Sequence, residues 1–480
     1  MFVNRMPRYE VLSEEAMGAL ERGWRRLISE IGVEFLHPDA LELFRRAGQI
    51  VEDRVVRFDP DFVLEQVAKA PSGFDLRARN PARTAHLGGD HMVFSCVQGP
   101  PFVREGNVRR EGTLEDYGRF ARLCQVFDEI DTPGGLACEP NDRPVESRHL
   151  DMQLALQTLT DKPYMGAQIS DVAARDSLEM AAILFGGRDE LEREPAIFSV
   201  INVNSPLRYD DRMIGALLEY AAANQPVVVT PFLLMGAMSP VSIPAALVQQ
   251  TAEQLAGVAL IQLVRPGAPV VLGSFLSHTD MQSGSPGFGG PESALGLLCS
   301  GQLARRLDLP WRAGGGSLTS SQTCDAQAAY EGLNTMLPTF LAGANLVLQA
   351  AGWLESGLVS CYEKFIIDLE LVRFLCEQFR PLEIDEASIA FDAHAEVLYG
   401  GHFFGAEHTL ERFRDCFYRP LVSSTENFDR WQRNGGKDAT ERAGEIWRAA
   451  LERYEQPPLE EGLREELDAF VTRRRAEIHA

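Results

Sequence analysis

The sequence predicts an α/β protein, a (β/α)8 TIM barrel with an N-terminal helical segment and a C-terminal helical extension. Three observations carry that expectation. Eight short runs rich in β-branched and apolar residues follow one another through the middle of the chain. Segments with helical period separate them, and the runs start roughly 30 to 43 residues apart, the length of one βα unit. Alternating strands and helices favour a parallel sheet, and eight repeats favour closure over an open, doubly wound sheet. An open sheet would want a glycine-rich phosphate loop after its first strand, and Val97–Arg104 (VQGPPFVR) is not one. The expected divisions are 1–90, 91–379 for the barrel, and 380–480 for an extension packed on it.

The elements follow in order. Ser13 caps a helix whose apolar positions Met17, Leu20, Trp24, Leu27 and Ile31 recur at three- and four-residue steps. Asp59-Pro60 opens a second helix, with proline at its first position, and Phe74–Gly89 reads as a short hairpin. The eight runs are His91–Val97, Gly134–Cys138, Tyr164–Ile169, Ala196–Val203, Pro226–Leu234, Pro269–Phe275, Pro310–Gly315 and Asn345–Gly352. Thr113 with Asp116 has the spacing of a capping box, and Asp325 caps a helix through Ala342 that Pro338 bends. Beyond Phe379 the chain turns helical again, over Glu383–Ala395, Ala439–Tyr454 and Leu459–Ile478.

Bulk properties exclude several function classes. A formal net charge of −23 argues against an electrostatic grip on nucleic acid or anionic lipid. The eight cysteines are scattered, which suggests reduced thiols. No C-x2-C pair or H-E-x-x-H occurs, so no metal site is expected; His402 and His408 read as loop residues. Met1–Glu10 lacks an apolar signal core and no apolar stretch is long enough to span a bilayer, which makes the cytoplasm the default location.

In such a barrel the C-terminal ends of the strands build the site. Those ends carry Gln168, Asn202, Phe232, Phe275, His278, Trp353 and Glu355 as candidate ligand-binding residues. Phe232, Phe275 and Trp353 can cage a quaternary ammonium, although each alone is more often core. Glu139 and Glu355 can act as a base or cation anchor, or simply as exposed loop acids. Gly314, Gly315 and Gly316 let backbone approach a phosphate or a large planar cofactor, or serve only where a strand turns outward. Lys69, Lys162, Lys364 and Lys437 all fall off the strand ends, which weakens Schiff-base chemistry.

The segments Gly314–Glu331 (GGGSLTSSQTCDAQAAYE), Gly400–Arg412 (GGHFFGAEHTLER) and Asp59–Pro71 (DPDFVLEQVAKAP) together resemble the trimethylamine methyltransferase family, from about Trp24 to Leu451. The resemblance implies a TIM barrel with helical additions. It also implies transfer of a methyl group from a methylated amine to the cobalt of a separate, cognate corrinoid protein, with no cofactor bound tightly by this chain. Trimethylamine-specific members carry pyrrolysine in the loop after the seventh strand. Here Ser320–Cys324 (SSQTC) has only standard residues, and the equivalent position, the catalytic candidate, falls near Gln322. That departure favours a quaternary amine such as a betaine, for which Gln168, Asn202 and Gln322 can orient the carboxylate; Arg312 can pair with it if it faces inward. Two other readings stay open: a non-catalytic betaine-binding protein, and another barrel enzyme such as a lyase or a folate-linked methyltransferase. The sequence leaves homo-oligomerisation open.

Overall fold

The computed structural model describes residues 1–480. Seven of the eight runs are strands: β1 (His91–Cys96), β2 (Tyr164–Met165), β3 (Ile197–Val203), β4 (Val227–Met235), β5 (Val270–Thr279), β6 (Trp311–Ala313) and β7 (Leu346–Ala351). They form one curled parallel sheet in the order β2-β3-β4-β5-β6-β7-β1. Register partners such as Val227↔Val270, Leu272↔Trp311 and Val347↔Phe94 keep apolar residues level with one another.

Gly134–Cys138 corrects the sequence reading, because it is not a strand. Only Thr132 pairs there, in an isolated bridge with Ser95. Pro133 has no N–H to donate, and Gly134 at φ +67° turns the chain out of the pleat. Both outer strands nevertheless hydrogen-bond to this segment. The Cys96 N–H donates to the Thr132 carbonyl at 3.3 Å, and the Met165 N–H to the Gly134 carbonyl at 3.1 Å.

Helices cover the outside of the sheet. They are α1 (Glu14–Arg26), α2 (Pro60–Val67), α3 (Leu114–Val126), α4 (Arg148–Leu159), α5 (Asp171–Phe185), α6 (Asp211–Ala222), α7 (Ile243–Val264), α8 (Pro291–Arg306), α9 (Ala326–Ala342) and α10 (Tyr362–Gln378). Ser13, Asp59, Thr113 and Asp325 cap α1, α2, α3 and α9 through their side chains, as their spacing predicts. The main apolar core lies between this helical shell and the outer face of the sheet.

A second, smaller core fills the hollow of the sheet. Val93, Met165, Phe198, Val200, Val228, Val271, Leu346 and Leu348 meet there. The hairpin Gly73–Leu76/Ala85–Gly88 adds Leu76, Ala85 and Leu87 to the same cluster. Each such side chain contributes about 1.5–3 kcal/mol through burial. The hollow is thus a packed floor, and open space remains only at the C-terminal edge of the strands.

Two regions depart from the sequence reading. Val33–Phe35, Ile50–Glu52 and Val55–Arg57 form a small sheet with Arg208–Tyr209, strands too short to leave a periodic signal. The expected helix Glu383–Ala395 is broken into Glu386–Ile389 and Phe391–Val397 by Ala390 in a left-handed conformation (φ 52°). Helices α11 (Ala439–Glu452) and α12 (Glu461–Ile478) form close to where they are expected. Trp447 of α11 stacks on Tyr362 with ring centres 4.6 Å apart, and Leu467, Phe470 and Val471 of α12 pack with Leu150 and Met180.

Asp116 joins three of these parts. It caps α3 with Thr113, accepts two hydrogen bonds from Arg110, and accepts the Tyr362 hydroxyl at 2.7 Å. Burial alone would raise its pKa, but the bonds from Arg110, Thr113 and Tyr362 outweigh that and hold it at about 2. A carboxylate depressed in the fold stabilises it above the unfolded pKa of about 4, and that stability is lost as pH falls through the folded value. Asp116→Asn is therefore expected to lower the thermal midpoint at neutral pH. In paired melts, the gap from the parent should close between about pH 4 and pH 2.

Candidate active site

A cavity of about 220 Å³ opens at the C-terminal edge of the sheet, directly above the packed floor. Met165, Val200 and Leu348 of the floor form its base. Its walls come from the ends of the strands. They include Gln98 and Gly99 after β1, Gln168 after β2, Asn202 of β3, Thr230 and Phe232 of β4, Phe275 of β5, Arg312 of β6, and Gln349 of β7 with Trp353 beyond it. The volume lies below the ~300–1,000 Å³ of sites for drug-sized ligands. It suits a donor of a few heavy atoms and leaves no room for a corrin ring.

One wall is aromatic. Phe232 and Phe275 stack with centres 4.4 Å apart, and Trp353 meets Phe275 edge-on at 6.3 Å. Phe288, from the loop between β5 and α8, packs against all three at 5.0–6.3 Å and fixes their tilt. The alternation of a strand places Phe232 and Phe275 side by side, because they are register partners across β4 and β5.

The remaining wall is made of donors in want of acceptors. Gln98 Nε2, Thr230 Oγ1, Arg312 Nε and Trp353 Nε1 are buried with no hydrogen-bond partner. The amide of Gln98 is oriented by its oxygen, which accepts the Leu136 N–H at 3.0 Å and the Gly135 N–H at 3.3 Å. That leaves its NH2 free. Buried donors left unpaired cost about 1–3 kcal/mol each, so a set sharing one cavity is chemically suited to an acceptor-rich ligand.

Arg312 is the centre of this set. It is buried at 3% exposure and makes no ion pair; it donates to the Gln349 side chain at 2.7 Å and to the Ser274 carbonyl at 3.1 Å. Burial without a counter-charge lowers its pKa to about 9, so it is still a cation at neutral pH. Gln349 is held at φ 59°, in the left-handed region that non-glycine residues seldom occupy. Its carboxamide is aimed at Arg312 from there.

The structure therefore brings together Gln168, Asn202, Phe232, Phe275 and Trp353 among the residues named from sequence. Others lie outside the cavity wall. Gln322 is exposed and its side chain folds back onto the Ser320 carbonyl at 3.1 Å. His278 sits beside Glu292 at 3.4 Å and against Gly287. Glu355 pairs with Arg109 at 3.0 Å, and Glu139 with Arg148. Gly314, Gly315 and Gly316 are buried. A Cβ at Gly314 would stand 2.2 Å from the Ser274 carbonyl oxygen, and one at Gly316 2.0 Å from that of Gln349. These glycines let the chain leaving β6 pass between its neighbours; they do not face an open space.

Arg312, expected to pair with a carboxylate only if it faced inward, does line the cavity, whereas Gln98, Thr230 and Gln349 were not singled out as ligand contacts. A signal for two of the four existed. Arg312 in WRAGGG and Gln349 in LVLQAAG are polar residues inside strands whose neighbours are all apolar, a pattern that points a side chain into the hollow of a curled sheet. Behind the site, Lys364 of α10 donates to the Ser317 carbonyl at 3.2 Å and pairs with Asp368, which accepts the Gly352 N–H at 2.8 Å. Burial holds Asp368 above the usual carboxylate range. The pair ties the exits of β6 and β7 together, and with them Gln349 and Trp353.

Comparison with known proteins agrees with this architecture. The family described as trimethylamine methyltransferase (MTTB) matches residues 1–479. A glycine betaine methyltransferase of Desulfitobacterium hafniense (strain Y51) is 39% identical over 98% of each chain. The trimethylamine methyltransferase MttB of Desulfitobacterium hafniense (strain DSM 10664 / DCB-2) is 29% identical over 96% of this chain and 92% of its own. A proline betaine:corrinoid methyltransferase of Eubacterium limosum is 27% identical over 82% and 83%. Among solved structures, a hydroxylamine MtmB complex superposes with a TM-score of 0.54 over 95% of this chain and 91% of that one, at 11% identity, a likeness of fold.

Two substitutions test the geometry. Gly316→Ala must displace the Gln349 backbone and is expected to destabilise the fold by about 1–3 kcal/mol in denaturant titration. Gln322→Ala removes an exposed side chain. It is expected to change ligand affinity by no more than about two-fold in calorimetry, the range of surface substitutions.

Proposed function

The chain belongs to the trimethylamine methyltransferase family, and from that premise we propose that it demethylates a betaine. In this reading a methyl group passes from a quaternary ammonium that also bears a carboxylate to the cobalt of a separate corrinoid protein. One observation carries the choice of substrate. A single small cavity joins an aromatic wall, suited to a quaternary ammonium, to an uncompensated Arg312 and three further unpaired donors, suited to a carboxylate. Trimethylamine would satisfy only the first wall. The named relatives act on glycine betaine, proline betaine and trimethylamine, and the carboxylate set favours the betaines.

The chemistry fits the residues. When docked, the partner's cob(I)alamin would supply the electron pair that bonds to the methyl carbon, and the C–N pair would leave with nitrogen. The leaving amine is then neutral and tertiary, and no proton is needed. This agrees with a cavity lined by amides, rings and one arginine. Phe232, Phe275 and Trp353 hold the ammonium by about 0.5–2 kcal/mol per good ring contact without pinning its charge. Arg312, Gln98 and Thr230 hold the carboxylate and so fix which methyl group faces the opening. The volume of the cavity supports a corrinoid brought from outside.

The hydrogen bonds of Thr132–Leu136 to both outer strands support a (β/α)8 barrel in which that segment takes the place of one strand. The divisions 1–90, 91–379 and 380–480 go with it. No helix is long and apolar enough to cross a membrane. A cytoplasmic location suits a reaction that needs strongly reduced cobalt.

The test is to add glycine betaine or trimethylamine to the protein with cob(I)alamin on its carrier and follow the visible spectrum. Methylcobalamin is expected with the betaine. Failure with every betaine offered, or a preference for trimethylamine, sinks the reading. Arg312→Met is expected to cost about 3–5 kcal/mol in kcat/KM, some 100-fold or more, because the substrate carboxylate would be buried unpaired. The sign of the pH effect follows from the lowered Arg312 pKa. The group is charged below about 9, so kcat/KM for the betaine should hold at neutral pH and fall as pH rises through that value.

A further inference from the structure

The eight cysteines are scattered in sequence, but the fold brings two of them face to face. Cys324 lies at the end of the loop that follows β6, and Cys361 closes the short strand Val359–Cys361 that leads into α10. They are 37 residues apart in the chain, with their Sγ atoms 3.6 Å from one another. A disulfide holds its sulfurs at about 2.0 Å, so little movement of the loop separates this contact from a bond.

The two thiols differ in a way that suits successive steps. Cys324 is half-buried, between exposed Thr323 and Asp325, and is open to a small oxidant. Cys361 is 1% exposed, and burial pushes its thiol well above its usual pKa, so it stays protonated. Its proton has an acceptor, because Cys361 Sγ donates to the Glu363 carboxylate at 3.5 Å. With the proton turned that way, sulfur lone pairs are left facing Cys324. Glu363 is itself held by the Gly106 N–H at 3.2 Å and the Trp447 indole N–H at 3.1 Å. Cys96 and Cys124 also neighbour one another, but both are wholly buried and out of an oxidant's reach.

We propose that Cys324 and Cys361 form a peroxide-responsive thiol pair, a site of reversible disulfide formation beside the substrate cavity. The Cys324 thiolate attacks one oxygen of hydrogen peroxide, the O–O bond breaks, and the other oxygen leaves as hydroxide that solvent protonates to water. Cys324 is then a sulfenic acid. The Cys361 sulfur attacks the Cys324 sulfur while its proton passes to Glu363, and the S–OH bond breaks to release hydroxide, which takes up that proton as water. Two thiols and one peroxide thus give one disulfide and two waters. Cys361 is fixed by its register with Arg104 and by its N–H bond to the Gly352 carbonyl at 2.9 Å, so the loop moves to it. That loop is already bonded to the segment after Trp353, where the Glu355 and Ser356 N–H groups donate to the Ser321 and Thr319 carbonyls at 2.8 and 3.0 Å. The cross-link therefore fastens the frame around Trp353, a ring of the cavity wall.

The experiment treats the full chain with a slight molar excess of hydrogen peroxide, blocks the remaining thiols with iodoacetamide, and maps the peptides by mass spectrometry. It needs neither substrate nor carrier, so its failure is distinct from failure of the demethylation reading. The link between Cys324 and Cys361 is expected as the first disulfide to form, and dithiothreitol should reverse it. Hydrogen exchange should slow at residues 319–325 of the linked chain. Cys361→Ser should stop at a Cys324 sulfenic acid that dimedone captures. Glu363→Gln should slow the link about ten-fold or more while Cys324 oxidises at the parent's rate, and the deficit should shrink as pH rises and solvent hydroxide takes the proton instead. A link that forms only in the unfolded chain overturns the proposal. So does a sulfenic acid that persists at Cys324 in the parent, or an earlier disulfide between other cysteines.

Discussion

A guanidinium held inside a curled sheet without an acidic partner is the constraint that organises this molecule. Arg312 at 3% exposure has only the Gln349 carboxamide and the Ser274 carbonyl for company, and burial lowers its pKa to about 9. Such a charge is tolerable only where surrounding dipoles are fixed and an anion can be admitted. Both conditions shape the neighbourhood. Gln349 adopts a strained backbone conformation to reach Arg312, and the buried pair of Lys364 and Asp368 locks the exits of β6 and β7 that carry these residues. In the proposed function a substrate carboxylate would supply the counter-charge that Arg312 lacks.

Close packing sets the size of what can be admitted. The hairpin Gly73–Leu76/Ala85–Gly88 fills the lower end of the hollow, and Met165, Val200 and Leu348 cap that filling. Gly314 and Gly316 let the chain leaving β6 press against the backbones of Ser274 and Gln349, which draws the upper end tight as well. What remains is one cavity of about 220 Å³ bounded by rings on one side and donors on the other. In the proposed function that smallness would suit a donor of few atoms and would oblige any corrin to approach from outside.

The sequence made much of this legible, and its failures have physical causes. Seven runs became strands because each is a short apolar stretch bounded by turn residues. The eighth, Gly134–Cys138, failed because Pro133 removes a ladder donor and Gly134 turns the chain. Strand ends named Phe232, Phe275 and Trp353 correctly as neighbours, since position along a strand fixes both height and face. Position could not reveal that Gln322 and Glu355 find partners outside the cavity, because local loop bonds decided that. Nor could it separate glycines that face a ligand from glycines that face backbone. Arg312 and Gln349 were visible as polar interruptions of apolar strands, but β6 has only three residues and the register of β7 shifts between Val347 and Ala351, so alternation does not fix which way either side chain points.

The division of labour between the two walls follows from which charge changes in the reaction. A betaine loses its positive charge as the C–N bond breaks, while its carboxylate is the same before and after. An anion placed against the ammonium would hold the ground state more strongly than the transition state and slow the step. Rings hold the cation weakly and lose less as its charge disperses. At the carboxylate end no such penalty exists, and a full charge can be used there. Interaction with Arg312 is uniform through the reaction; it strengthens binding without opposing the chemistry. An arginine at the unchanging end and aromatic rings at the changing end is therefore the arrangement that physical chemistry favours for a betaine. A methylamine without a carboxylate would leave the arginine as a cost with no return.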